Sequence, residues 1–172
     1  MDQFDAAFLI IRLWLGVVIT LHGVNHARNL EGTAKWFASK GFKKAELNAR
    51  MSGFAEVAIG LGLALGLLTQ FAIAGLVATM FVAFWSIHRF AGFFVFHRPD
   101  EGYEYVATIV AAGLALSIGG PGAASLDDAL GWAGSLDGWV GAAIFLGGLA
   151  AGYLQTLVLW QRPSPDKENL DE

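Results

Sequence analysis

FDAAFLIIRLWLGVVITLH, residues 4–22, is about nineteen residues long and carries one charge deep in its apolar interior, Arg12. A helix of that length spans the hydrocarbon core of a bilayer. MSGFAEVAIGLGLALGLLT, residues 51–69, has the same length and carries Glu56 in the same way. Burying an ionisable side chain in lipid costs at least about 3 kcal/mol on insertion scales, so such residues face protein, find partners and mark functional sites. Three more apolar runs follow, at 71–89, 105–118 and 138–160. The expected fold is all-α, a transmembrane helical bundle, with the short fourth run extended by Gly102 and Gly119 at its ends.

Composition leads to the same class. A chain of 172 residues that is 55% hydrophobic, 15% charged and holds 22 glycines is too apolar for one small soluble core. With no cysteine in the chain, disulfides, thiolate zinc sites, cysteine-held iron–sulfur clusters and cysteine nucleophiles are excluded for these residues. A net charge of −4 without a continuous basic face argues against nucleic acid. The start, Met1-Asp2-Gln3-Phe4-Asp5, is acidic where a cleaved signal would be basic, so the first span is expected to be retained.

Between the first two spans, residues 27–50 mix Trp36, Phe37, Phe42 and Leu47 with Lys35, Lys40, Lys43 and Lys44, a pattern suited to short amphipathic helices on the membrane surface. Thr69-Gln70 is expected as a tight turn, and residues 90–104, with Arg98-Pro99-Asp100-Glu101-Gly102, as a structured loop. Gly119-Gly120-Pro121-Gly122 ends a helix. The expected organisation is a bundle over 1–130, a further transmembrane helix within 131–160, and a disordered tail over 161–172, where prolines and charges replace any apolar period.

With five spans, every Lys and Arg except Arg12 falls on one side of the membrane. The basic side belongs in the cytoplasm, which puts the N-terminus outside and the C-terminus inside. Under that topology His22, His26, His88 and Glu104 reach the cytoplasmic boundary, Glu56 sits about 7 Å within it, and Arg12 lies about 10 Å deeper than Glu56. The expectation is a cytoplasm-proximal polar pocket of Arg12, His22, Glu56, His88 and Glu104, able to bind a ligand or handle protons, with Arg12 and Glu56 as neighbours.

Simpler readings compete with each element of that pocket. Arg12 and Glu56 could be an ion pair that only fixes helix register. His22 and His26, four apart, have the spacing of two metal ligands, yet interfacial histidines are more often solvated, and neither a metal nor a bis-histidine haem through His22 and His88 is expected. The aromatics Trp14, Phe81, Phe84, Trp85, Phe90, Phe93, Phe94 and Phe96 could line a site for a flat lipophilic ligand such as a quinone, or simply form interface belts. Gly62-x3-Gly66 and Gly148-x3-Gly152 permit close helix approach, within the bundle or in a homo-oligomer.

An ordered set of short motifs carries a family resemblance. Arg12-Leu13-x2-Gly16, His22-Gly23, Trp36-Phe37, Gly41-Phe42, Glu56 with Gly60, Leu67-Leu68-Thr69, Glu104-Tyr105, Gly120-Pro121-Gly122 and Ser125-Leu126-Asp127 together resemble the DoxX family of bacterial membrane proteins, over roughly residues 8–130. The resemblance implies a four-helix transmembrane core in the bacterial plasma (inner) membrane, to which 138–160 adds a fifth helix. His26 stands where a lysine is common in the family, and Gln70 where an arginine is common. It also implies oxidoreductase surroundings, since DoxX-like proteins are linked to a quinone-reducing thiosulfate oxidoreductase and to a membrane complex with superoxide dismutase and a sulfurtransferase. It adds Ser125 and Asp127 to the positions of interest, although Ser or Asp at such a place commonly caps a short helix.

Two functions follow as expectations. One is a membrane subunit of an oxidoreductase system that binds quinone or another lipophilic redox partner near Glu56 and His22, with redox protein partners. The other is a non-enzymatic scaffold or small-solute carrier in which Arg12 and Glu56 only order the bundle. No residue here carries electrons by itself, so the first requires a bound cofactor or a partner subunit.

Overall fold

A computed structural model of the chain describes residues 1–96 and 100–163. The described residues form α1 (Gln3–Arg28), α2 (Leu30–Ser39), α3 (Ala45–Leu65), α4 (Thr69–Ala83), a π-helical turn (Phe84–His88), α5 (Arg89–Ala91), α6 (Glu104–Gly119), α7 (Leu126–Ala129) and α8 (Gly138–Leu159). Among the described residues, three helices are long and apolar enough to cross a membrane: Gln3–Arg28, the continuous Thr69–Ala91, and Gly138–Leu159. The shorter Glu104–Gly119 is also apolar. In α3, Glu46, Arg50 and Glu56 dilute an otherwise apolar helix. The chain is an all-α membrane bundle.

Large apolar side chains stay on the outside, as a bilayer solvent requires. Ile10, Trp14 and Leu21 on α1, Phe54 and Leu61 on α3, and Leu146, Leu154 and Val158 on α8 are all exposed. The main interior cluster holds Leu15, Ile19, Leu63, Ile73, Leu76, Val77, Met80, Val106, Leu116 and Phe145, and a second, smaller one holds Phe37, Phe42 and Ala49.

Glycines set the register. Gly16 of α1 lies against the backbone of Gly60 and Ala64 on α3, and Gly23 lies against Gly53 and Val57, so α1 and α3 run antiparallel with their backbones in contact. Gly148 of α8 meets Ala74 of α4, and Gly152 meets Ala78 one turn on; α4 and α8 therefore run parallel. α6 fills the remaining space, with Gly113 facing Ile73, Val77 and Phe145. The five long helices alternate in direction along the chain.

The turn between α3 and α4 departs from expectation. Gly66 adopts φ 64 and ends α3, Leu68 adopts φ 50, and Thr69-Gln70 opens α4 instead of forming the turn. A left-handed leucine is uncommon, and its amide is taken by Asp127, described below. Gly66 is thus a helix stop and not half of a packing motif, whereas Gly148 and Gly152 do serve packing, within the bundle. α3 also begins at Ala45 and α1 continues to Arg28, each about six residues beyond the expected boundary.

At the end holding α2, the chain is tied together. Lys43 N donates to Leu159 O at 2.8 Å and Gln161 N to Gly41 O at 2.9 Å. The Trp160 indole donates to Lys40 O at 2.8 Å, while Lys40 Nζ lies 2.8 Å from both carboxylate oxygens of Asp100. In the loop before α6, the amides of Gly102, Tyr103 and Glu104 donate to Phe94, Gly92 and Phe93. Arg98 and Pro99 of that expected loop, and residues 164–172 of the expected tail, lie outside the described residues. Every described Lys and Arg except Arg12 sits at this end, which we call the basic end; Gly66 and the loop around α7 mark the other.

Candidate functional site

Glu56, on the face of α3 that packs on α1, is only 4% exposed. Its Oε1 accepts a hydrogen bond from Ser52 Oγ, one turn earlier, at 2.5 Å. Its Oε2 has no hydrogen-bond partner and lies 3.8 Å from His26 Nε2. Close packing at Gly23, where a Cβ would stand 2.9 Å from Glu56 Cβ, brings His26 to Glu56 one turn of α1 later.

His88 belongs to the π-helical turn, a distortion that recurs at functional sites. Its Nδ1 lies 2.6 Å from the carbonyl oxygen of Glu101 and its Nε2 lies 2.6 Å from the Tyr105 hydroxyl. A carbonyl only accepts, so Nδ1 carries the proton, and in the neutral ring Nε2 accepts from Tyr105. Glu56 is near enough to act electrostatically on Tyr105. Two polar groups thus lie in the apolar bundle, Ser52, Glu56 and His26 on α3 and α1, and Tyr105 and His88 on α6 and the π-helical turn; no hydrogen bond among the described residues joins them, so together they make a discontinuous polar path. Each group can hold a proton on oxygen or nitrogen.

The expected pocket is only partly brought together. His22 is exposed, pointing away while His26 turns to Glu56. Glu104 caps its own loop, its Oε2 accepting from Val95 N at 3.2 Å. Among the described residues no three His, Asp or Glu converge as a metal-binding group.

Arg12 and Glu56 are not neighbours. The register places Arg12 opposite Gly66 and Glu56 level with His22 and Gly23, about 15 Å apart along the helix axis. The ends of the two apolar runs set His22 level with Met51, whereas the packing of Gly16 on Gly60 and of Gly23 on Gly53 and Val57 sets His22 level with Glu56, which lengthens the gap to Arg12.

Arg12 instead builds the opposite end. It is 1% exposed, and one terminal nitrogen donates to Ala124 O, while Nε and the other terminal nitrogen have no hydrogen-bond partner. A Cβ on Gly66 would lie 2.6 Å from the Arg12 guanidinium carbon, so glycine there makes room for the arginine. Asp127 is the carboxylate that acts on Arg12 electrostatically, but its oxygens are used elsewhere: Oδ1 accepts from Leu68 N at 2.8 Å and Oδ2 from Thr69 N at 2.9 Å. Asp127 therefore caps α4 from a distant loop. Ser125 caps α7, accepting from Asp128 N at 3.1 Å. Gln70 Nε2 donates to Asp137 Oδ1 at 3.1 Å. Beside these residues, Phe71, Pro121, Trp132 and Leu136 help line an open cavity of about 210 Å³.

Ser52 is a site residue not singled out from the sequence, and Tyr105 is named there only as part of the Glu104-Tyr105 motif. Ser52-x3-Glu56 has the spacing of neighbours on one helical face, a signal that could have been used; for Tyr105, only packing reveals its histidine partner.

Residues 7–89 match the family model described as DoxX. The matched stretch runs from α1 to the first residue of α5 and contains Arg12, His26, Ser52, Glu56 and His88. Among curated proteins and among solved structures, nothing matches the chain.

Proposed function

Because the chain is a DoxX family protein, and that family is often linked to oxidoreductase systems, we propose that it is an integral membrane subunit of such a system. In this reading a quinone or similar lipophilic redox partner approaches the polar path from the bilayer, and Glu56 exchanges a proton with it as it is reduced or reoxidised. The observation that carries the reading is Glu56 itself, buried, with one oxygen held by Ser52 and the other left without a hydrogen bond beside His26. A buried carboxyl with a free oxygen is costly to keep for architecture alone.

The chain's own residues would bind, orient and move protons. Tyr105 and His88 extend the path toward the basic end, where a proton can reach water. Electrons must come from a partner protein or a bound group, since the side chains here carry none. We place the protein in the bacterial plasma membrane with the basic end in the cytoplasm, following the distribution of Lys and Arg.

A scaffold or solute-carrier role is the second reading, and the Arg12 end favours it. Arg12, Ser125 and Asp127 are engaged with backbone groups of their own chain, as expected of architecture. Solvent extraction of the protein purified in mild detergent, with a visible spectrum recorded, separates the two. Co-purifying quinone supports the redox reading; its absence, together with the absence of any redox partner, leaves the scaffold.

A further inference from the structure

Arg89 and Arg162 come together on one aromatic ring at the basic end. The Arg89 guanidinium carbon lies 4.5 Å from the centroid of Phe90 and that of Arg162 lies 4.9 Å from it. Arg89 also stacks at 4.0 Å on Trp85 and lies 5.8 Å from the ring of Trp160. Neither arginine has a carboxylate partner among the described residues, and Arg89 Nε is buried without a hydrogen bond. Two like charges gathered around one ring repel each other unless an anion lies between them. Stacking covers the faces of a guanidinium but leaves its N–H groups free in the plane, arranged to grip phosphate oxygens.

The position of the pair specifies what kind of phosphate. Arg89 begins α5 at the end of one membrane-length helix, and Arg162 follows the last residue of another, α8, by three positions. Trp85, Phe90 and Trp160 lie against them and Tyr153 packs edge-on to Trp85, as aromatics do at headgroup level. Phe90 is 51% exposed, and in the last two turns of α8, leading to Arg162, Leu154, Leu157 and Val158 are exposed, a surface on which acyl chains can lie. We propose that Arg89 and Arg162 form a binding site for the phosphate of an anionic phospholipid headgroup, with the acyl chains running along α8. The site is separate from the Glu56 path and stands whether or not the redox reading holds.

The test uses the full-length protein in non-ionic detergent, mixed with phosphatidylglycerol or phosphatidylcholine, with retained lipid counted by native mass spectrometry. Phosphatidylglycerol should be retained in preference to phosphatidylcholine. Arg162→Gln should weaken that retention about fivefold and the double variant Arg89→Gln, Arg162→Gln about thirtyfold, while phosphatidylcholine is unaffected. Arg162 lies beyond the last helix, so its variant should keep the wild-type circular dichroism and tests the site even if Arg89→Gln misfolds. Unchanged phosphatidylglycerol retention in Arg162→Gln, or equal retention of both lipids by the wild type, overturns the proposal. Displacement of the lipid by an equal concentration of inorganic phosphate would identify a soluble-phosphate site and overturn it as well.

Discussion

Arg12 donates to the backbone carbonyl of Ala124, 112 residues further along the chain, and not to the carboxylate of Glu56. An arginine buried with Nε and one terminal nitrogen unpartnered bears a desolvation cost that its hydrogen bond does not fully offset. Arg12→Met fills the same space and should shift stability by less than about 1 kcal/mol. Arg12→Ala opens a cavity beside Gly66 and should cost about 3 kcal/mol. Thermal unfolding in detergent checks both, and a Met variant as unstable as the Ala variant would assign the effect to the lost hydrogen bond.

Asp127 receives the amides of both Leu68 and Thr69, holding a left-handed leucine at the start of α4. Asp127→Ala should cost about 2 kcal/mol, and Asp127→Asn, which keeps one acceptor, about half of that. Amide exchange at Leu68 and Thr69 should quicken in the same order.

Close contact between α8 and α4 depends on Gly148. A Cβ there would stand 2.8 Å from Ala74 Cα, whereas one on Gly147 would have nothing within 4 Å. Gly148→Leu should therefore destabilise the bundle by about 1–3 kcal/mol, and Gly147→Ala should be neutral in the same unfolding measurement.

Much of this architecture is legible in residue order because a bilayer imposes it. The apolar runs at 4–22, 71–89 and 138–160 could hardly be anything but long helices, and they are. Charge and glycine markers were less direct. Glu56 is marked as a buried carboxyl by its apolar surroundings and Ser52 by its spacing one turn earlier on the same helix, but His26 is brought to Glu56 by the register of Gly16 and Gly23 on α3. That register sets His22 level with Glu56 and not with Met51, a relation that the lengths of the apolar runs do not report. Arg12 and Glu56 share a polarity anomaly without sharing a site, since no sequence pattern reports axial distance between two helices. Asp127 looked like a local cap, and its actual target, the start of α4, lies 58 residues earlier in the chain.

The proposed orientation, with the basic end in the cytoplasm, rests on the charge pattern that gathers Lys and Arg at that end. A reporter fused to the C-terminus should read cytoplasmic. An external signal would invert the bundle and place the Glu56 path and the arginine pair on the outer face.

A proton-handling Glu56 is tested most directly by quinone carried through purification, compared between wild type and Glu56→Gln. The substitution keeps volume and an acceptor for Ser52, so the helical content should be unchanged while the exchangeable proton is lost. Quinone should accompany the wild type, and its reduction by the native membrane system should fall at least about a hundredfold in the variant. Wild type free of quinone, or a variant that supports reduction at the wild-type rate, would contradict a redox role for Glu56.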